Sequence, residues 1–243
     1  MITKELPAEA QPYKKKKAAP PLPIADWLNE FEQKRAKEFR RRTGLDYQTF
    51  LRQILNDADM HPGMHVLELA AGTGGIARHM VGMVGSEGKI IGVDSTKELI
   101  EQARLDAQSA KVSTRIEWRV APINHLPFKE REVDLVLCGL AFNHFNPVEF
   151  FQASYRILKM EGVLLLAAEL AAPARLTDWM QRMRRNYNRL FREETAEPES
   201  QYHSAHELTE MLRMAGFRQI VMRGLQGQSG ATTRNFSLIR AVK

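Results

Sequence analysis

The run Val66-Leu67-Glu68-Leu69 feeds directly into Ala70-Ala71-Gly72-Thr73-Gly74-Gly75 and then Ile76-Ala77, and a second apolar run, Lys89-Ile90-Ile91-Gly92-Val93, ends on Asp94. A strand that enters a glycine turn and a helix, followed by a strand closing on a carboxylate, is the layout for gripping an adenosine-containing cofactor. Gly72 and Gly74 permit a tight turn with unusual backbone angles and leave room for a ligand against bare main chain. Asp94 offers two acceptor oxygens to the two hydroxyls of a ribose. Gly72-Thr73-Gly74-Gly75-Ile76-Ala77 also fits the dinucleotide fingerprint. Glu68 separates the two readings: an acid two positions before the turn suits an ammonium or sulfonium group and repels a pyrophosphate at the same helix start.

The rest of the chain repeats the alternation. Strands are expected at 64 to 69, 89 to 94, 115 to 120, 133 to 138 and 162 to 169, with helices at 74 to 84, 96 to 109 and 147 to 158 between them. Further strands are expected at 217 to 224 and 235 to 242. Such alternation builds an α/β protein with a parallel, doubly wound sheet. Trp27, Leu28 and Phe31, then Tyr47, Phe50, Leu51, Ile54, Leu55 and Ala58, recur at helical spacing, so two helices precede the first strand; Asp46 caps the second and Pro62-Gly63 stops it. Ser204 with Glu207 three residues later spells a capping box, which makes His203 and His206 parts of a helix start.

The ordered set of motifs resembles the class I S-adenosylmethionine-dependent methyltransferases. Glu68-x-Ala70-x-Gly72-x-Gly74 resembles their first motif and Gly92-Val93-Asp94-Ser95 their ribose-binding strand. Leu126-Pro127-Phe128, Val133-Asp134-Leu135-Val136, Leu158 to Leu165 and the closing block Tyr202 to Leu208 with Ala215-Gly216-Phe217 follow in the family's order. The likeness spans roughly residues 45 to 243 and is nearest to the small-molecule branch containing the ubiquinone/menaquinone biosynthesis methyltransferases. It implies a Rossmann-like sheet of seven strands, mostly parallel with the last antiparallel, on one domain over 24–243, with N-terminal helices at 24–60 and a helical cap at 173–200. It also implies S-adenosylmethionine as cofactor and S-adenosylhomocysteine as product.

Site roles follow from the same resemblance. Glu68 is expected at the methionine end and the main chain of Ala70, Ala71, Gly72 and Gly74 along it. Asp94 and Ser95 are expected at the ribose, Pro122 and Ile123 beside adenine, and the Cys138 carbonyl near the amino group. Three positions depart from the pattern. Ala70 replaces a glycine, Pro122-Ile123 replace an Asp-Ala pair that holds the adenine amino group, and Glu161 replaces a glycine before the fifth strand, a surface change. His144, just past the fourth strand, stands where a base would sit for a phenol or enol acceptor; a packed residue of the cofactor shell is the alternative. Asn146-Pro147-Val148-Glu149 is not the Asn/Asp-Pro-Pro-aromatic motif of amino-methylating enzymes. Phe142, Phe145, Phe150 and Phe151 supply an apolar neighbourhood, partly core, that favours a small hydrophobic or aromatic acceptor methylated at oxygen or carbon. The competing classes are a nicotinamide-dependent oxidoreductase and a non-catalytic S-adenosylmethionine-binding protein.

Composition bounds the remainder. The 243 residues, 44% apolar, suffice for one substantial core. Cys138 is the single cysteine, so neither an internal disulfide nor a cysteine-rich metal site is expected, and the histidines show no ligand spacing. No apolar run approaches the roughly 20 residues of a membrane span and no signal-peptide core opens the chain, giving the expectation of a cytoplasmic protein. Of the net charge of +6, residues 1 to 42 carry +5. The tetralysine Lys14 to Lys17 among prolines makes 1–23 a basic, extended arm, and the nearly neutral body argues against a specific nucleic-acid groove. Within the cap, Leu176, Trp179, Met180, Met183, Tyr187, Leu190 and Phe191 form an apolar stripe ringed by arginines. Packing on the domain, a substrate lid and peripheral membrane contact, through this helix or the basic arm, are all compatible with it. Oligomeric state is left open.

Overall fold

The apolar runs become strands because helices between them carry the chain back across a common sheet. In the computed structural model, which describes Lys37, Arg40, Arg41 and residues 44–171, 202–226 and 232–243, the order is α1 (Tyr47–Asp57), β1 (His65–Leu69), α2 (Gly75–Val84), β2 (Lys89–Asp94), α3 (Lys97–Ser109), β3 (Ile116–Val120), β4 (Val133–Cys138), α4 (Pro147–Ile157), β5 (Leu158–Glu169), α5 (Ala205–Met214), β6 (Arg218–Gln226) and β7 (Thr232–Val242). The basic arm, the helix expected around Trp27 and the cap at 173–200 lie outside the described residues.

The seven strands are ordered β3-β2-β1-β4-β5-β7-β6. The first five pair in parallel, and β7 lies antiparallel between β5 and β6. The chain reverses direction across the sheet between β1 and β4, so their carboxyl ends form the switch point where ligands bind in such folds. Strand alternation splits the core in two. Val66, Ile90, Leu135 and Leu165 face α1, α2 and α3 through Phe50, Ile54, Met80 and Ile100. Leu67, Ile91, Val136 and Leu164 face α4 and α5 through Phe150, Phe151, Leu208 and Leu212.

The caps read from sequence are present. Asp46 accepts the Thr49 amide hydrogen bond at 2.8 Å, and Ser204 and Glu207 bond reciprocally at 3.2 and 2.7 Å. Asn146 caps α4, with Pro147 in its first turn. The main boundary difference is β5, which begins at Leu158 rather than 162. Leu158 already pairs with Val133, and a register shift then absorbs the extra residues before Val163 meets Leu135. Glu161 sits in that irregularity at φ +61°, exposed and ion-paired with Arg218. The replacement is at the surface, as expected, yet in a conformation that favours glycine.

Candidate functional site

Register places Glu68 of β1 beside Gly92 of β2, and Gly92 beside Trp118 of β3. All three lie on the face toward α2, because alternation puts them in step with Val66 and Ile90. The Trp118 indole lies across Gly92 and reaches beneath the glycine turn: a Cβ on Gly92 would fall 2.3 Å from it, and one on Gly74 only 2.1 Å. Gly74 therefore lacks a side chain in order to admit Trp118, as well as to reach φ +74°. On its other flank Glu68 neighbours the buried Leu137.

Glu68 is consequently a carboxyl in an apolar slot, 2% exposed, and its Oε2 has no hydrogen-bond partner among the described residues. Burial pushes it up to about 8, against the pull of the Ala77 backbone N–H and of Arg78, with Asp94 adding a push in the same direction as burial. Arg78 does not neutralise it directly; its guanidinium turns to the Thr73 carbonyl at 2.5 Å and to Asp106 at 3.3 Å. An orphaned carboxyl oxygen beside the turn is a standing demand for a hydrogen-bond donor, best met by a cationic one.

The turn itself is held open by its own backbone. Ala70, Gly72 and Gly74 all take positive φ, at +52°, +57° and +74°. The Ala71 N–H donates to the Val93 carbonyl and the Gly74 N–H to the Ala71 carbonyl, each at 2.9 Å. Asp94, largely buried at the end of β2, accepts from the Gly72 N–H and the Thr96 N–H, both at 2.9 Å. Each oxygen keeps a lone pair beyond those bonds. Ser95 follows, exposed. Helix α2 begins with no side-chain cap and no acidic residue in its first turn, leaving amide hydrogens and the positive end of the helix dipole at the mouth of the turn.

The remaining expected residues gather at the same sheet edge. Ala121 donates to the Asp94 carbonyl at 3.0 Å, which ties the exposed Pro122 and the half-buried Ile123 to the end of β2. Cys138 pairs with Leu69 at the carboxyl end of β4. Burial pushes its thiol up to about 12, so only its main chain has a part to offer. His144 is exposed on a turn after β4, one residue from the buried Asn143, whose side chain donates to the Glu169 carbonyl at 2.8 Å and accepts from its N–H at 2.9 Å. Phe142, Phe150 and Phe151 are core residues with centroids 5.2 to 5.9 Å apart. Phe145 alone of the four is partly exposed, stacked on Phe150 at 5.6 Å.

Two neighbours of the turn, Trp118 and Tyr47, stand outside the sequence motifs. Trp118 carried a signal, a bulky residue on β3 in step with a glycine on β2. Tyr47 carried only its helical spacing: it packs against the core, and its hydroxyl also lies over Gly75, 2.6 Å from where a Cβ would stand. Among the described residues no cluster of three His, Cys, Asp or Glu is placed to hold a metal ion, and no helix is long and apolar enough to cross a membrane.

Residues 60–216 match the family model described as a methyltransferase domain. The chain is 33% identical over 99 residues to a 2-phytyl-1,4-naphtoquinone methyltransferase of Nostoc sp., covering 40% of this chain and 43% of that protein. It is 32% identical over 103 residues to a ubiquinone/menaquinone biosynthesis C-methyltransferase of Geotalea uraniireducens, covering 41% and 43%. It thus spans less than half the length of these curated relatives. A SAM-dependent methyltransferase from Aquifex aeolicus shares the fold at a TM-score of 0.62 and 18% identity, over 88% of this chain and 97% of that one. The bare turn, the carboxylate ending β2, the sheet order and the match across most of the described chain agree: the protein belongs to the methyltransferase-domain family.

Proposed function

We propose that this chain transfers a methyl group from S-adenosylmethionine to a carbon or oxygen of a small, hydrophobic, aromatic acceptor. When bound, the cofactor supplies a methyl on a sulfonium, a leaving group already activated. The protein's part is then to hold and orient. Glu68 and the main chain of Ala70 to Gly74 would take the methionine end, Asp94 and Ser95 the ribose, Pro122 and Ile123 the adenine flank, and the Cys138 carbonyl the amino group. Fixing two reactants in line supplies most of what such a displacement needs. Burial of Glu68 makes its carboxyl responsive to charge: a cation beside it favours the ionised form, whereas a diphosphate would hold it protonated and gain nothing from it.

The observation that carries the acceptor class is the apolar mouth at the ends of β4 and β5. Leu140, Ala141, Phe145 and Leu170 are only half-buried there, around the exposed His144. The quinone relatives act on acceptors of the same character, which supports carbon or oxygen methylation of an aromatic ring. His144 would take the proton of a phenol or enol acceptor as the new bond forms. Methyl transfer from labelled cofactor to a panel of hydroquinones, phenols and naphthols, with amines and polar acids as controls, tests this. Turnover of the aromatic hydroxyl compounds is expected, with His144→Ala lowering kcat by about 100-fold and leaving S-adenosylhomocysteine affinity unchanged. Turnover confined to amines would overturn the acceptor class.

A further inference from the structure

We infer that Tyr47 is a cofactor-positioning residue, whose phenol donates a hydrogen bond to the carboxylate of the cofactor's amino-acid end where it meets the first turn of α2. Helix α1 runs from the carboxyl edge of the sheet, at Tyr47, toward the opposite edge, where residues 58 to 64 lead into β1. Tyr47 therefore stands at the edge that carries the site. It leans on the core through Phe50, ring centroids 6.1 Å apart, with its hydroxyl end against Gly75. Gly75 is the first residue of α2, the helix that starts without a capping side chain. A carboxylate placed there meets the helix amides on one side and a phenolic donor on the other. The second mark of a ligand at this spot is Glu68, whose buried Oε2, unpartnered among the described residues, lies beneath the same first turn, next to Ala77. An amino acid's two charges thus find complementary partners: the ammonium Glu68, the carboxylate Tyr47 and the α2 amides.

The distance from Gly75 makes the position of the hydroxyl testable in two ways. Tyr47→Phe deletes the donor and keeps the ring. Gly75→Ala keeps the donor and displaces it, since the new Cβ would stand 2.6 Å from the hydroxyl oxygen; Gly75 has no positive φ, so alanine suits the helix. Calorimetry on the full chain uses two probes, S-adenosylhomocysteine and 5′-methylthioadenosine, the latter lacking the amino-acid end. Both variants are expected to weaken S-adenosylhomocysteine by about tenfold and to leave 5′-methylthioadenosine within about twofold, at unchanged melting temperature without ligand. Unchanged S-adenosylhomocysteine affinity, or an equal loss for both probes, would overturn the assignment. The inference rests on the cofactor and not on the acceptor, so an inert acceptor panel with these affinities intact would sink only the proposed acceptor.

Discussion

Glu68 is a proton-linked side chain on geometric grounds: an indole, a leucine and a helix surround it, and one oxygen lacks a partner among the described residues. Its carboxyl is raised from 4.5 to about 8 in the folded chain. Between those values the native state holds a proton that the unfolded chain has released, so stability from this group is complete below about pH 4.5 and is lost as pH climbs through about 8. A cationic ligand reverses the demand, because it needs the ionised form. Cofactor affinity should rise as pH rises toward 8, by at most about tenfold per unit, with proton release visible in calorimetry across buffers of different ionisation enthalpy. Glu68→Gln should flatten both the affinity profile and the alkaline loss of melting temperature. An affinity independent of pH from 6 to 8 would contradict the placement. Ala70 poses a simpler question. At φ +52° it occupies a region that costs an L-residue about 1–2 kcal/mol, while glycine costs about 0.5–1 kcal/mol in unfolded-state entropy. Ala70→Gly should therefore stabilise the chain by roughly 0.5–1 kcal/mol in urea denaturation.

Strands and helices were largely legible from periodicity, and a few from their terminators as well. The starts of α1 and α5 follow from Asp46 and from the Ser204/Glu207 box, whereas the Asn146 cap of α4 emerges only in the structure. The start of β5 has no periodic signature, because Leu158 pairs ahead of an irregularity and a register shift leaves no mark on the alternation. At the site, Glu68, Asp94 and the turn stand close together, as their spacing led one to expect of residues on adjacent strand ends. Contacts between elements could not be read that way. The clearest case is the row Glu68, Gly92 and Trp118, which exists only once β1, β2 and β3 are in register. Its consequence is measurable at Gly74. A methyl there would meet the indole at 2.1 Å in a backbone conformation disfavoured for alanine, so Gly74→Ala should cost about 2–4 kcal/mol without any ligand present. Trp118→Leu should lessen that penalty in the double variant, whereas two additive losses would show that conformation alone sets it.

The edge of the sheet is tied to α1 far from the site. Arg223 of β6 grips Asp57 at 2.5 and 2.7 Å and the Gln53 carbonyl at 3.2 Å, so the outermost strand holds the lower half of α1. The upper end of the same helix presents Tyr47 to Gly75. A helix clamped at one end and packed through Phe50, Leu51 and Ile54 transmits position along its axis. Arg223 bonds to Asp57 and Gln53 and to none of the described residues of the candidate site, yet its removal should be felt there. Arg223→Ala is expected to weaken S-adenosylhomocysteine by about threefold to tenfold beyond any change in melting temperature. The discriminating measurement is the cycle with Tyr47→Phe. If the clamp acts by placing the phenol, Arg223→Ala should cost little more once the hydroxyl is gone, giving a coupling of about 0.5–1.5 kcal/mol. Additive losses in that cycle would mean that β6 stabilises α1 without setting the geometry of the turn, and the clamp would then be a matter of stability alone.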